Sequence, residues 1–145
     1  MKKEVREKEL HHPTFGVHFI SEFSGCPSSL LSDLDFIRQA LIRASEKANL
    51  TILTVSLHRF YPQGVSGVVV ISESHLSIHT WPEVGYAAID VYSCGEDTHP
   101  EKAIEYLIEV LKPQRVFTTC LERGIEWKEN SNLSFSFFIH ARKSS

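Results

Sequence analysis

Val65-Ser66-Gly67-Val68-Val69-Val70-Ile71 runs almost unbroken in apolar residues and gives way at once to Ser72-Glu73-Ser74-His75-Leu76-Ser77-Ile78-His79-Thr80-Trp81-Pro82-Glu83. The first heptad is rich in β-branched residues, too short for a stable helix and preceded by the Pro62-Gln63-Gly64 turn, so it reads as a buried strand. The second stretch crowds histidines, hydroxyls and carboxylates into a dozen positions. The end of a buried strand is where a scaffold holds reactive groups most rigidly, so the chemistry of the chain is expected there.

Working outward, Thr51 to Tyr61 is β-branched and aromatic and forms a hairpin with the Val65 run. Ser32 with Asp35 marks a helix start, and Leu34, Ile37, Leu41, Ala44 and Ala48 recur at helical spacing up to a stop at Asn49. Before them, Phe15, Val17 and Phe19 alternate with Gly16, His18, Ile20 and Glu22, a strand with a partly polar second face. The second half repeats the order. Gly85 to Ser93 is a strand, Thr98 with Glu101 a capping box, and Ile104, Leu107, Ile108 and Leu111 an apolar stripe ended by Pro113. Arg115 to Leu121 and the alternating Leu133, Phe135, Phe137, Ile139 segment supply the last strands. Two strand-helix-strand-strand halves imply an α+β fold, a two-layer α/β sandwich with helices on one face of a mainly antiparallel sheet. The bare face calls for cover, which a second copy of the chain would give.

At 145 residues the chain is one domain, able to bury roughly 68–70% of its unfolded surface in a single core. Residues 15–145 make up that domain, and residues 1–14 read as a flexible, charged N-terminal extension. Cys26, Cys94 and Cys120 are an odd number without a CxxC pair, and the first ten residues are charged where an export signal is apolar, which points to the cytoplasm. No apolar run approaches the ~20 residues that span a bilayer. A formal charge of −3 offers no field for phosphate backbones. Membrane and nucleic-acid partners are therefore not expected.

His75 and His79 are four apart, the spacing of a helical metal pair, but the β-branched run upstream and Pro82 downstream argue against a helix, and no glutamate stands where a HExxH pair needs one. No metal site is expected. Ser74 lacks a Gly-x-Ser-x-Gly elbow, and although Asp90 could orient a histidine, no spacing indicates a hydrolase triad. A hairpin that merely exposes polar side chains is the remaining structural alternative.

The segment from His58 to Gly95 supports a sharper reading. Gly64-Val65-Ser66-Gly67, Ser72-Glu73-Ser74-His75, Ile78-His79-Thr80-Trp81-Pro82-Glu83, Gly85-Tyr86, Asp90 and Cys94-Gly95 closely resemble prokaryotic S-adenosylmethionine decarboxylases. The likeness extends more loosely over residues 15–125, including His18, Glu22-Phe23 and both helices. It implies a self-processing enzyme whose chain breaks between Glu73 and Ser74 into a β chain, 1–73, and an α chain, 74–145, with Ser74 converted to a pyruvoyl group. By this resemblance the Ser74 hydroxyl attacks the Glu73 carbonyl, an N-to-O acyl shift that needs strain and oxyanion donors. His79 then removes the Ser74 α-proton to expel the carboxylate, and Ser66 assists the rearrangement. The pyruvoyl carbonyl would take the substrate amine as a Schiff base and accept the electrons released with carbon dioxide, so no diffusible cofactor is required.

A thiol is mostly protonated at neutral pH, and the resemblance makes Cys94 the proton donor to carbon. Cys26 and Cys120 read as small buried hydrophobes. The substrate, S-adenosylmethionine, wants aromatic faces for adenine and sulfonium and a carboxylate for the ribose diol, which the resemblance assigns to Phe60, Trp81 and Glu83, across the interface of a homodimer. The product would be the aminopropyl donor for spermidine. The alternatives are an arginine or ornithine decarboxylase on the same pyruvoyl scaffold, or an uncleaved, non-catalytic regulatory homologue.

One departure stands out: relatives usually carry Gly-Arg-His where this chain has Gly16-Val17-His18. One geometric expectation also follows from spacing alone. Ser74 and His79 are an odd five residues apart, on opposite faces of an uninterrupted strand. A turn or bulge must therefore intervene, and their use of one site predicts that Ser74 lies in a non-strand connection before processing.

Overall fold

In the computed structural model, which describes residues 14–72 and 74–124, six strands form one sheet in the order β2-β3-β4-β5-β1-β6. These are β1 Gly16–Ser24, β2 Ile52–Arg59, β3 Val65–Ile71, β4 Ser74–Trp81, β5 Tyr86–Ser93 and β6 Arg115–Arg123. Every neighbouring pair is antiparallel. Helices α1 (Ser28–Leu31), α2 (Leu34–Lys47) and α3 (Pro100–Leu111) complete the α+β architecture expected from the sequence. Among the described residues no helix is long and apolar enough to cross a membrane. The expected strand over Leu133–Ile139 and the N-terminal extension up to residue 13 lie outside the described residues.

Alternation along each strand decides the layers. Val65, Val69 and Ile71 of β3, Leu76 and Ile78 of β4, and Ala87, Ile89 and Val91 of β5 are buried and meet Ile37, Leu41 and Ala44 of α2 and Ala103, Leu107 and Leu111 of α3 in one core. Gly67 is where α2 comes closest: an added Cβ there would lie 2.8 Å from Leu41 Cδ1 and 3.2 Å from Leu57 Cγ. The opposite face bears no helix among the described residues. It leaves Phe60, Val70, Trp81, Phe117 and Leu121 exposed.

Local signals were read with mixed success. Helix α2 starts one residue after the expected Ser32, because the Asp33 side chain accepts the Phe36 backbone N–H at 3.0 Å, while Ser32 donates instead to the Ser28 carbonyl of α1. Its end is as expected, with Asn49 in the left-handed region at φ 57°. The Thr98–Glu101 capping box does not form. His99 is the N-cap without a side-chain cap bond, since the Thr98 hydroxyl donates to the Gly95 carbonyl and Pro100 opens α3.

The largest correction concerns β4. Ser74 is its first residue, paired with Ile71, and the register runs without interruption to His79 opposite Ser66. Neither turn nor bulge separates Ser74 from His79. The cause is packing: Leu76, Ile78 and Thr80 must all reach the core, and a bulge would turn part of that set to the outer face.

Thr80 fastens this strand to the helices. Its buried hydroxyl accepts the Val65 N–H at 2.9 Å and donates to the Leu31 carbonyl of α1 at 2.8 Å. Thr80→Val keeps the shape but strands both partners, so chemical denaturation should show a loss of about 2–5 kcal/mol.

Candidate active site

The candidate side chains gather at opposite ends of β4, most of them on the outer face, while Ser74 by strand alternation shares the inner face of Leu76 and Ile78. At the start of β4, Ser74 Oγ lies 3.3 Å from His75 Nδ1. The His75 ring packs on Tyr92 and His18, with centroids 6.0 and 6.2 Å apart. His18 Nε2 meets Asp90 Oδ1 at 2.9 Å, and its Nδ1 is 3.3 Å from an Arg123 nitrogen. The Arg123 guanidinium covers the Tyr92 ring at 4.4 Å. Cys94 follows the end of β5, its thiol aimed at the Thr14 carbonyl at 4.0 Å.

These groups meet because the strands bring them into register. His75 opposes Tyr92, and Tyr92 opposes His18. Gly16 opposes Arg123. Val17 alternates to the other face opposite Ser93 and Glu122, away from this cluster. A cavity of about 280 Å³ opens beside the cluster, bounded by Ile71, Ser72, Ser93 and Cys94 with Asn49 and Thr98.

At the other end of β4, Ser66 Oγ and His79 Nδ1 are 2.7 Å apart across the β3-β4 ladder. Trp81 stacks on Tyr86 with centroids 5.2 Å apart, and Phe60 packs edge-on against His58 at 4.7 Å. The Tyr86 hydroxyl donates to Glu22. Glu83 stands in the 3-10 turn Pro82–Val84 that follows the strand. Ser66, His79, Phe60, Trp81 and Glu83 therefore share one end of the molecule, and Ser74 and Cys94 share the other. Ser74 and His79 are five strand steps apart, about 16 Å, with side chains on opposite faces. Glu73 lies outside the described residues.

Electrostatics follow the packing. Burial, and next the neighbouring His18 charge, hold the His75 imidazole below its ordinary range. The Tyr92 hydroxyl is held above its range chiefly by its bond to Cys94, and Tyr86 is pushed up to about 12 by burial and then by Glu22. Burial likewise pushes the Cys26 thiol up to about 11, consistent with the buried role expected of it, whereas Cys120, expected to be buried as well, is exposed on β6. Tyr92 and Arg123 were missed in the sequence. They belong to no local motif, and only the β5-β1-β6 pairing places them beside Cys94.

Residues 17–124 match the S-adenosylmethionine decarboxylase family. The chain is 46% identical over 113 residues to a protein of Pyrococcus abyssi named S-adenosylmethionine decarboxylase proenzyme, an alignment covering 78% of this chain and 81% of that one. It is 53% identical over 111 residues to the protein of the same name from Thermosipho africanus, covering 77% and 85%. Among solved structures, it superposes on the adenosylmethionine decarboxylase of Aquifex aeolicus with a TM-score of 0.74 and 37% identity, over 82% of this chain and 98% of the other.

The depressed His75 has a consequence for stability. In the unfolded chain its imidazole titrates near the ordinary value of 6.5, and in the folded chain lower. Acidification through 6.5 therefore protonates the unfolded state first, so stability present above that pH is lost as pH falls. Urea unfolding at pH 7.5 and 5.5 should show a smaller acid loss for His75→Asn than for the parent chain.

Proposed function

The chain belongs to the S-adenosylmethionine decarboxylase family, and on that footing we propose that it decarboxylates S-adenosylmethionine with a pyruvoyl group made from its own Ser74, in a site shared by two copies of the chain. The observation that carries the shared site is the division of functional side chains between the two ends of one uninterrupted strand. No rotamer of His79 crosses about 16 Å and a strand to reach Ser74 of its own chain. A two-fold axis near the middle of β4, with the bare faces apposed, brings the Ser66–His79 end of one copy to the end of the other where β4 begins and Cys94 stands, so that His79 meets the Ser74 backbone and its α-proton rather than the inward-facing hydroxyl. It also covers Val70, Phe117 and Leu121, whose exposure would otherwise go uncompensated.

The surroundings of Ser74 suit the group. Its hydroxyl has an imidazole neighbour in His75, kept neutral by burial and so available to accept a proton. The adjacent cavity leaves room for the chain ends to separate after cleavage. In processing, Ser74 Oγ attacks the Glu73 carbonyl, the peptide nitrogen takes a proton and leaves, and an ester links the two halves. His79 of the second copy, hydrogen-bonded to Ser66, takes the Ser74 α-proton, and the Glu73 carboxylate departs with its electron pair. Water then hydrolyses the dehydroalanine left at residue 74 through its imine, releasing the nitrogen as ammonia, and the resulting pyruvoyl group supplies an electron-accepting carbonyl at the amino end of residues 74–145.

The protein's own residues then bind and protonate. Phe60 and Trp81 offer faces to adenine and the sulfonium, and Glu83 accepts the ribose hydroxyls. Cys94 gives its proton to the carbon that carbon dioxide has left. The product is an aminopropyl donor of the kind spermidine synthesis consumes.

Complementation tests the shared site. Alone, Ser74→Ala and His79→Ala chains should each remain at 16.5 kDa. Co-expressed, the His79→Ala chain should be cut into residues 1–73 and 74–145 by the intact histidine of its Ser74→Ala partner, as intact mass will show. Cleavage of the His79→Ala chain alone, or of neither chain in the mixture, would overturn the arrangement.

Recognition is separable from processing. Trp81→Ala and Glu83→Gln should lower kcat/KM for S-adenosylmethionine by about 5- to 150-fold while leaving cleavage largely intact. Release of carbon dioxide from arginine or ornithine in preference to S-adenosylmethionine would keep the pyruvoyl chemistry and overturn the substrate.

A further inference from the structure

Trp81 ends β4 with its side chain 42% exposed, and what steadies it comes from two other strands. Tyr86 of β5, its partner across the ladder, lies against it with ring centroids 5.2 Å apart and planes 31° from parallel. The Tyr86 hydroxyl in turn donates to the Glu22 carboxylate of β1. The backbone beside the tyrosine is fixed as well. Gly85, in the left-handed region at φ 64°, accepts the Cys26 N–H on its carbonyl at 2.9 Å, and a Cβ added there would lie 2.9 Å from the Cys26 carbonyl oxygen. Tyr86 is thus held at both ends, through its neighbour by the loop after β1 and through its hydroxyl by β1 itself. The 3-10 turn that carries Glu83 lies between the two stacked rings, with Trp81 just before it and Tyr86 just beyond Gly85.

We propose that Tyr86 and Glu22 are positioning residues for substrate recognition, a strut that sets the Trp81 indole and the turn bearing Glu83 in the orientation that receives the adenosyl group. The proposal rests on the reading of Trp81 and Glu83 as substrate-binding residues. An exposed indole samples several rotamers, and freezing them on binding weakens affinity; a ring already steadied by a neighbour loses less freedom when substrate arrives. A hydroxyl bound to a carboxylate makes a stronger contact than one between neutral groups, which suits a strut that ends in a single hydrogen bond. Burial and then Glu22 push Tyr86 up to about 12, so the hydroxyl remains a donor through neutral and mildly alkaline pH. The strut acts on binding and not on the reacting bonds, so its loss falls on KM rather than kcat.

Two measurements on the purified enzyme test this. The first needs no substrate. Trp81 and Trp127 are the two tryptophans of the chain, so in a Trp127→Phe background the fluorescence anisotropy decay reports on the Trp81 indole alone. Tyr86→Phe keeps the stacked ring and loses only the hydroxyl. It should enlarge the fast, local component of the decay, and so should Glu22→Ala. Glu22→Gln, whose amide oxygen still accepts the hydroxyl proton, should restore most of the parental decay.

The second measurement is a double-mutant cycle in the kinetics of S-adenosylmethionine decarboxylation. Tyr86→Phe and Glu22→Ala should each raise KM by about three- to tenfold, the effect of losing one hydrogen bond, with kcat within about twofold of the parent. Together they should do no more than either alone, because both break one contact. Cleavage between Glu73 and Ser74 should go to completion in each variant. A parental anisotropy decay in Tyr86→Phe, an unchanged KM where Trp81→Ala raises it, additive losses in the double variant, or failed cleavage in Tyr86→Phe would overturn the proposal. A Trp81→Ala enzyme with parental KM would instead overturn Trp81 as a substrate surface, and the anisotropy decay would still report whether the strut holds the indole.

Discussion

The pleat of β4 is the constraint from which the rest of the molecule follows. Its central place between β3 and β5 pins the strand through two ladders, and Leu76, Ile78 and Thr80 anchor one face in the core. A slip of one residue would turn His75, Ser77 and His79 toward the helices and the apolar set away from them, a cost no local gain could offset. Register therefore fixes which way each functional side chain points. Residues that motif reading groups together are physically separated by it: Ser74 and His79 stand five positions apart in sequence, and the pleat gives them different faces and different ends.

That separation makes sense of the bare outer sheet. A sheet covered on one side by helices commonly keeps the other side polar and solvated. Here that side mixes exposed aromatic and aliphatic residues with the very histidines, hydroxyls and carboxylates that chemistry needs. On the proposed arrangement both features have one cause. Apposing two such faces buries the apolar residues and brings each half-site onto the other, and the water excluded between the sheets strengthens the charged contacts around Ser74 and Cys94.

Much of this was legible in the sequence where function and structure are local. The Val65–Ile71 run is the strand it reads as, the helical stripes are the helices, and Ser66 and His79, thirteen positions apart, are hydrogen-bonded across adjacent strands. Legibility failed where a second signal competed. Thr98 and Glu101 carry the letters of a capping box, but the Thr98 hydroxyl is taken up by Gly95 and Ser93, and His99 stands at the cap instead. Ser74 was expected in a connection because a single-chain site demanded it. That inference was sound geometry applied to an unstated premise, that one chain holds the whole site. Tyr92 and Arg123 escaped for another reason: their meaning comes from β5 lying beside β1, and β1 beside β6, pairings between segments up to a hundred residues apart that no local pattern encodes.

A site divided in this way couples maturation to assembly. If the base that completes cleavage comes from the second copy, an isolated chain keeps an intact Glu73–Ser74 peptide, and the electrophilic carbonyl is generated only where two outer faces have already closed. The order protects a reactive group that water and stray amines would otherwise consume. On the same proposal Ser66, His79, Phe60, Trp81 and Glu83, which lie at one end of β4, would all be presented to the partner's Ser74, first for cleavage and then for turnover. Cys94, Tyr92 and His75 remain with Ser74 on its own chain, where strand register rather than association fixes their geometry.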